Sequence, residues 1–379
     1  MKITEIRLLP LRGATPDGGW DERILDEDNN LHTLVEVVTD EGISGVGSVF
    51  TSAKLIEGAI DVFRPLVIGA SAIDPSATSE TLHQHTFWQG RGGAVTHAIS
   101  GIDIALWDIL GQVTGQPISR LLGGRHRESI KPYGSLLMAE PPEMQNRLES
   151  GLARGFRAFK IGWGPFGRVD ATLDRAIIQA AREAVGDDVE LMVDAGGSDG
   201  FWPHSYKWAI NTAEMLADYD VRWFEEPLRP DDLDSYIKLT EHSPVPIAGC
   251  EVLTRRQAFL PWIEKRGVDY LQPDVTKVGG ISEHHRINQY ADDHAILVVP
   301  HGWNTAVGLA ADLQLVAAAG NARWVEYITP APYIEDLLAE PIQFDSAGLI
   351  QIPEAPGLGL SWNHDAIERF TGKRLRVER

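Results

Sequence analysis

The sequence predicts an α/β protein whose larger part is a closed barrel of parallel strand–helix units. Three observations predict it. Beyond Gly123-Gly124, eight short apolar segments of strand character recur at a spacing of roughly 25 residues, at 130–137, 158–163, 190–195, 221–227, 245–251, 269–274, 296–301 and 322–328. Helical stretches such as 171–185 (ATLDRAIIQAAREAV) and 282–293 separate most of them, the grammar of parallel βα units. Eight such units over about 200 residues match a (β/α)8-type barrel better than an open sheet. No GxGxxG follows a first strand, which weakens a dinucleotide-binding alternative.

The residues before the barrel read differently. Residues 2–11 and 33–39 are strand-like, and Asp40-Glu41-Gly42 punctuates a hairpin into Ile43–Phe50. Between them, 14–31 (ATPDGGWDERILDEDNNL) is rich in Gly, Pro, Asp and Asn without periodicity and reads as a long lid loop, with a second lid segment near residue 50. From Gly93, Ile99, Ile102, Leu106 and Ile109 repeat at helical spacing, ending near Gly111 or Gly115 with Pro117 beyond. The expected organisation is an α+β capping domain over 1–125, a barrel over 126–340, and a tail, 341–379, that packs back on the capping domain. Its IQFDSAGLIQIP is hairpin-like.

Composition narrows the function classes. Of 379 residues, 43% are hydrophobic and 23% charged, an ordinary globular balance. Lys plus Arg is 34 against 54 Asp plus Glu, a net charge of −20 that repels phosphate backbones and anionic lipid, so neither nucleic acid nor a membrane is the expected partner. The single cysteine, Cys250, excludes an intramolecular disulfide. Glu5, Arg7 and Pro10 interrupt the apolar start, and no apolar run reaches bilayer length, so the expected location is cytoplasmic.

A barrel predicts chemistry at the C-terminal ends of its strands. There the sequence places Lys160 (AFKIGWG), Asp194 (LMVDAGG), Glu225 and Glu226 (RWFEEP), Glu251 (IAGCE), Asp274 (LQPDVTK), His301 (VVPHGWN) and Glu326 (RWVEYI). Taken singly, an Asp after a strand is usually a helix N-cap and a lone Lys snorkels to solvent. Seven such groups, each after an apolar run, point instead to one shared pocket. Three carboxylates converging on a point cannot all stay ionised without a cation. Asp194, one glutamate of the Glu225-Glu226 pair and Glu251 form an all-oxygen set that suits Mg2+; no HxH or HExxH supports zinc. Lys160 on one side and His301 on the other could serve as bases, with Asp274 fixing the imidazole tautomer. A cation between two opposed bases is machinery for removing a proton α to a carboxylate.

With those residues in place, the chain resembles the enolase superfamily and, within it, the mandelate racemase subgroup. HAISGIDIALWDILGQVTGQPISRLLGG (97–124), VDAGG, WFEEP, GCE, QPDVTKVGGI, VPHG and EAPGLGL carry the resemblance over nearly the whole chain. It implies a modified TIM barrel, (β/α)7β, under an N-terminal α+β capping domain. It implies Asp194, Glu225 and Glu251 as ligands of one Mg2+ per active site, and Lys160 and the Asp274–His301 dyad as acid/base groups. Glu326 is implied as a hydrogen-bond donor to the substrate carboxylate. Two positions depart from the subgroup: Ala158 stands where its Lys-x-Lys signature has the first lysine, and Gly196 replaces a frequent asparagine.

Among look-alikes with a lysine and a His–Asp dyad, sugar-acid dehydratases are commonest. The expected reaction is therefore Mg-dependent dehydration of an aldonate or aldarate to a 2-keto-3-deoxy acid. Racemisation or epimerisation, cycloisomerisation of a hydroxy acid or sugar lactone, and a barrel that binds without catalysing are the alternatives. Trp20, Arg23, His85, Arg91, Trp163 and Trp303 are the candidate substrate-binding residues, the partner is a small-molecule carboxylate, and a homo-oligomer is expected by analogy.

Overall fold

The computed structural model describes residues 1–13 and 31–376. The lid expected at 14–31, with Trp20 and Arg23, therefore lies almost wholly outside the described residues.

Strands β1 (Ile3–Leu11), β2 (His32–Thr39) and β3 (Ser44–Val49) form an antiparallel sheet in chain order, with the hairpin turn at 40–43 as expected. Helices α1 (Ala53–Val67), α2 (Pro75–His85), α3 (Ala94–Thr114) and α4 (Ile118–Leu121) follow. Only α3 is legible from periodicity. Ile99, Ile102, Leu106 and Ile109 are all fully buried, against Val35, Val37 and Val49 of the sheet and Ile56, Ile60 and Phe63 of α1. Among the described residues α3 is the one helix long and apolar enough to cross a membrane, and 78% of its apolar window is buried inside the protein.

The barrel alternates β4 (Ser129–Leu137), α5 (Pro141–Arg154), β5 (Ala158–Gly162), α6 (Ala171–Val185), β6 (Glu190–Asp194), α7 (Tyr206–Ala217), β7 (Val221–Glu225) and α8 (Leu233–His242). It continues through β8 (Ile247–Gly249), α9 (Arg256–Glu264), β9 (Tyr270–Leu271), α10 (Gly280–Asp293), β10 (Leu297–Val298), α11 (Ala306–Ala318) and β11 (Trp324–Ile328). Neighbours from β4 to β10 pair in parallel in chain order, and β11 pairs in parallel back onto β4. A parallel bridge between Val298 and Ala322 closes the ring. Eight strands joined by seven helices make the modified (β/α)7β TIM barrel. Along β5 the alternation is visible residue by residue: Phe159 and Ile161 join the core under the helices, while Ala158 joins the interior layer.

Three strands end earlier than their apolar runs. Glu251 lies two residues past β8, and Asp274 and His301 each lie three residues past β9 and β10. Pro273 and Pro300 lack the N–H that would continue the ladder, and Cys250 sits at φ +89°. These site residues therefore come from short segments that leave the sheet rather than from the strands themselves.

After α12 (Pro332–Glu335), the tail splits its packing. β12 (Ile350–Gln351) pairs antiparallel with the start of β4, so the hairpin expected on the capping domain joins the barrel instead. Beyond it the chain does return to the cap. Leu358 donates its amide to Asp108 of α3 at 3.0 Å, and α13 (His364–Thr371) places the Phe370 carbonyl 3.1 Å from the Arg12 amide.

Candidate active site

Lys160, Asp194, Glu225, Glu251, Asp274, His301 and Glu326 are all buried, none more than 6% exposed. Groups on a solvated rim would not be. Five of the charged residues stand two positions after an uncharged interior residue: Ala158 before Lys160, Met192 before Asp194, Trp223 before Glu225, Val299 before His301 and Trp324 before Glu326. Residues two apart on a strand share a face, so the charged set stands directly above an apolar floor.

Asp194, Glu225 and Glu251 each offer an oxygen within 4.8 Å of the others. Gly162 lets β5 and β6 come this close: a Cβ there would lie 2.6 Å from Cβ of Asp194. Burial, with Glu225 and Glu251 as like-charged neighbours, pushes the Asp194 carboxyl well above the usual carboxylate range, and burial raises Glu225 as well. A buried, all-oxygen set whose members oppose each other's ionisation fits a hard divalent cation, and the spacing suits one ion with oxygens at about 2.1 Å. Glu225 is fixed by Trp223 Nε1 at 2.9 Å and Gln272 Nε2 at 2.7 Å, both donating to Oε2. Asp194 Oδ1 accepts the Gly196 amide at 2.8 Å. Glu226, the second member of the pair, is buried with its carboxyl also pushed well up by burial and by Glu251 and Asp194.

Lys160 flanks the cluster on one side. Its Nζ bonds Glu225 Oε1 and lies 3.0 Å from Glu326 Oε1 and 3.7 Å from Asp194 Oδ2. Burial opposes the ammonium, but Glu225 and Glu326 outweigh it and raise the lysine well above its ordinary value. Burial favours the neutral form of Glu326, yet Lys160, His301 and the Gly302 amide, 2.6 Å from Oε2, hold it at about 2. Beside Lys160, it accepts the Gly302 amide.

His301 flanks the other side. Its Nε2 is 3.2 Å from Glu251 Oε2 and its Nδ1 is 2.8 Å from Asp274 Oδ2. Asp274 accepts from Thr276 N at 2.7 Å and Thr276 Oγ1 at 2.6 Å on its other oxygen. Burial works against ionisation of Asp274, but Lys277, His301 and Thr276 reverse it and lower its pKa. The imidazole is raised despite burial, Glu251 being the leading cause. Asp274 thus sets the ring's orientation and leaves Nε2 to face the carboxylates.

A cavity of about 360 Å3 opens onto Lys160, Asp194, Glu251 and His301. Trp163 and Trp303 line it; His85 and Arg91 do not. His85 is exposed on the last turn of α2, and the exposed Arg91 guanidinium lies 5.7 Å over the Phe87 ring. Sequence reasoning missed several lining residues, Leu136, Leu137 and Val252 among them, and four others matter more for the chemistry. Phe50 comes from the segment after β3, Ser135 from β4, Ser198 from the loop after β6, and Lys277 from the QPDVTKVGGI motif. The signal for Lys277 was its place three residues beyond Asp274: its Nζ is 3.4 Å from Asp274 Oδ2 and 4.5 Å over the Phe50 ring.

Comparison with known proteins agrees with this geometry. A family model described as the mandelate racemase / muconate lactonizing enzyme N-terminal domain matches residues 27–123, and one described as enolase C-terminal domain-like matches 143–366. The D-galactarolactone cycloisomerase of Agrobacterium fabrum is 36% identical over 98% of this chain and 99% of its own. The D-xylonate dehydratase of Haloferax volcanii is 31% identical over 88% of this chain and 84% of its own. Among solved structures, the 3,6-anhydro-D-galactonate cycloisomerase of Zobellia galactanivorans superposes with a TM-score of 0.87 at 29% identity, covering 98% of this chain and all of the other.

Proposed function

Because the chain belongs to the mandelate racemase / muconate lactonizing enzyme family of the enolase superfamily, we propose that it removes the proton α to the carboxylate of a sugar acid and expels the oxygen on the β carbon. The observation that carries this reading is the placement of two acid/base groups on opposite flanks of three carboxylates. Lys160 contacts Glu225 and approaches Asp194, while His301 Nε2 faces Glu251 at 3.2 Å. Asp194, Glu225 and Glu251 would hold Mg2+, whose fixed positive charge stabilises an enolate.

The chain's own residues supply the rest. One of Lys160 and His301 takes the α proton, and the other, poised on the opposite flank, protonates the leaving oxygen or returns a proton to carbon. Asp274 keeps His301 in a single tautomer with Nε2 available. Glu326 anchors Lys160 on the side away from Asp194. The buried walls exclude water and strengthen these interactions.

Two leaving groups suit the same chemistry. Departure of a hydroxyl gives dehydration to a 2-keto-3-deoxy acid, the reading that the dehydratase relative favours. Departure of a ring oxygen gives cycloisomerisation, favoured by the relative that aligns over 98% of the chain. We place the reaction on a small-molecule carboxylate in the cytoplasm. The test is incubation with Mg2+ and a panel of aldonates, aldarates and their lactones in D2O. A 2-keto-3-deoxy product carrying solvent deuterium at C3, the former β carbon, is the expected result. Exchange at the α carbon of recovered acid without keto product means epimerisation, and neither exchange nor keto product across the panel contradicts proton abstraction altogether.

A further inference from the structure

Trp163 occupies a backbone position that an L side chain rarely adopts, φ +59°, at a cost of about 1 kcal/mol. Its amide donates to the Asp194 carbonyl at 3.1 Å. Its ring lies on Gly196, itself at φ +64°. A Cβ at 196 would sit 2.8 Å from the indole Cδ2 and Cε2, closer than such contacts occur. The departure at Gly196 and the aromatic at 163 are therefore one feature. The glycine clears the space, and the indole takes it as one wall of the cavity.

The rest of that wall is of the same character. Apart from the charged groups already described, Phe50, Leu136, Leu137, Val252 and Trp303 line it, and among the described residues only Ser135 and Ser198 add hydroxyls, each of which already serves a buried carboxylate, Glu326 and Glu226. An open-chain sugar acid carries a hydroxyl on nearly every carbon, and each one buried without a partner costs about 1–3 kcal/mol. A small ring ties one or two of those oxygens into itself. It presents a face of C–H groups, the surface an indole accepts.

Resting on the β-elimination reading above, we propose that the Trp163–Gly196 pair selects ring-closed sugar acids, lactones or anhydro acids whose β oxygen belongs to the ring, over their open-chain counterparts. The chemistry balances without a co-reactant. The α C–H bond breaks and its electron pair forms the Cα–Cβ double bond. The Cβ–O bond breaks and its pair stays on the ring oxygen, which leaves as a carboxylate from a lactone or takes a proton to become a hydroxyl from an ether. The enol then gains a proton at Cβ and loses one from oxygen, giving a 2-keto-3-deoxy acid isomeric with the substrate; from a lactone one proton is released with the new carboxylate.

The test uses the full chain with Mg2+ and matched pairs, a lactone or anhydro acid against the open-chain acid of the same skeleton and configuration. Keto product and α-deuterium in D2O are the readouts. The expected result is a kcat/KM at least 10-fold higher for the ring member, with the ring-to-open ratio falling roughly 10-fold in Trp163→Ala through KM for the ring. Trp163→Phe should restore most of the ratio, and Gly196→Ala, which displaces the indole, should lower it as Trp163→Ala does. Both substrates are measured on one sample, so partial loss of folded protein cancels. Open-chain acids turned over as well as their ring partners, or a ratio unmoved in Trp163→Ala, overturn selection by this pair while leaving proton abstraction standing. Neither exchange nor keto product with either kind of acid overturns proton abstraction, and ring selection with it.

Discussion

Two layers inside the barrel, one step apart on the same strands, differ completely. The lower is Tyr133, Ala158, Met192, Trp223, Ala248, Val299 and Trp324, aromatic and apolar. Its rings pack edge to face, Tyr133 on Trp223 at 5.5 Å and Trp223 on Trp324 at 5.5 Å. The upper layer holds Lys160, Asp194, Glu225, His301 and Glu326, with Glu251 and Asp274 brought in from segments just past β8 and β9. The lower layer gives the barrel a rigid, dry floor, and the upper layer uses that dryness. Charges there are poorly solvated, so each depends on its neighbours for its protonation state. The layers touch where the Trp223 indole N–H fixes Glu225 and where Lys160 Nζ lies 5.7 Å over the Tyr133 ring.

The largest expected effect comes from the upper layer. Lys160→Ala and His301→Asn should each lower turnover by about 10²–10⁴-fold, the usual contribution of a positioned acid or base, while Mg2+ binding measured by calorimetry persists. Lys160→Ala at wild-type rate would remove the lysine from the chemistry and leave a one-base reaction through His301.

A smaller effect tests the floor. Ala158 sits where the family's signature often has a lysine, yet here it is fully buried beside Trp223 and Trp324. Ala158→Lys should destabilise the fold by on the order of 3 kcal/mol in urea titration, because it brings a charge into an apolar layer. Unchanged stability would mean that the floor admits charge as readily as the layer above, and the contrast between them would fail.

A further effect comes from buried histidines of the cap and of α10. Burial holds His32, His83, His97 and His284 at about 4. Between pH 6.5 and 4 the unfolded chain takes up protons that these native rings refuse, so stability is full above 6.5 and declines as pH falls toward 4. Thermal unfolding followed from pH 7.5 to 4.5 should show Tm dropping by several degrees within that window. A flat profile would mean that these rings titrate alike in both states.

Much of this was legible in the sequence, for a physical reason. In a parallel barrel the pattern of apolar run followed by a charged residue is the site, so Lys160, Asp194, Glu326 and one glutamate of the Glu225-Glu226 pair could be read from strand ends, and the family resemblance singled out Glu225. Glu251, Asp274 and His301 were found by the same rule even though their strands stop short of them. What escaped depends on contacts between distant positions. The fit of Trp163 onto Gly196 joins residues 33 apart, and neither signals the other. The lean of Lys277 toward Phe50 joins a motif in the barrel to the end of the cap sheet. His85 and Arg91 were polar residues near a lid, but composition does not say which way a helix end faces.

The central claim is that Asp194, Glu225 and Glu251 grip one divalent ion between Lys160 and His301. Crystals grown with Mn2+ in place of Mg2+, with data collected for anomalous scattering, test it most directly. The account predicts one strong peak per chain, within about 2.3 Å of an oxygen from each of the three carboxylates. A peak elsewhere, or none at saturating Mn2+, would contradict it.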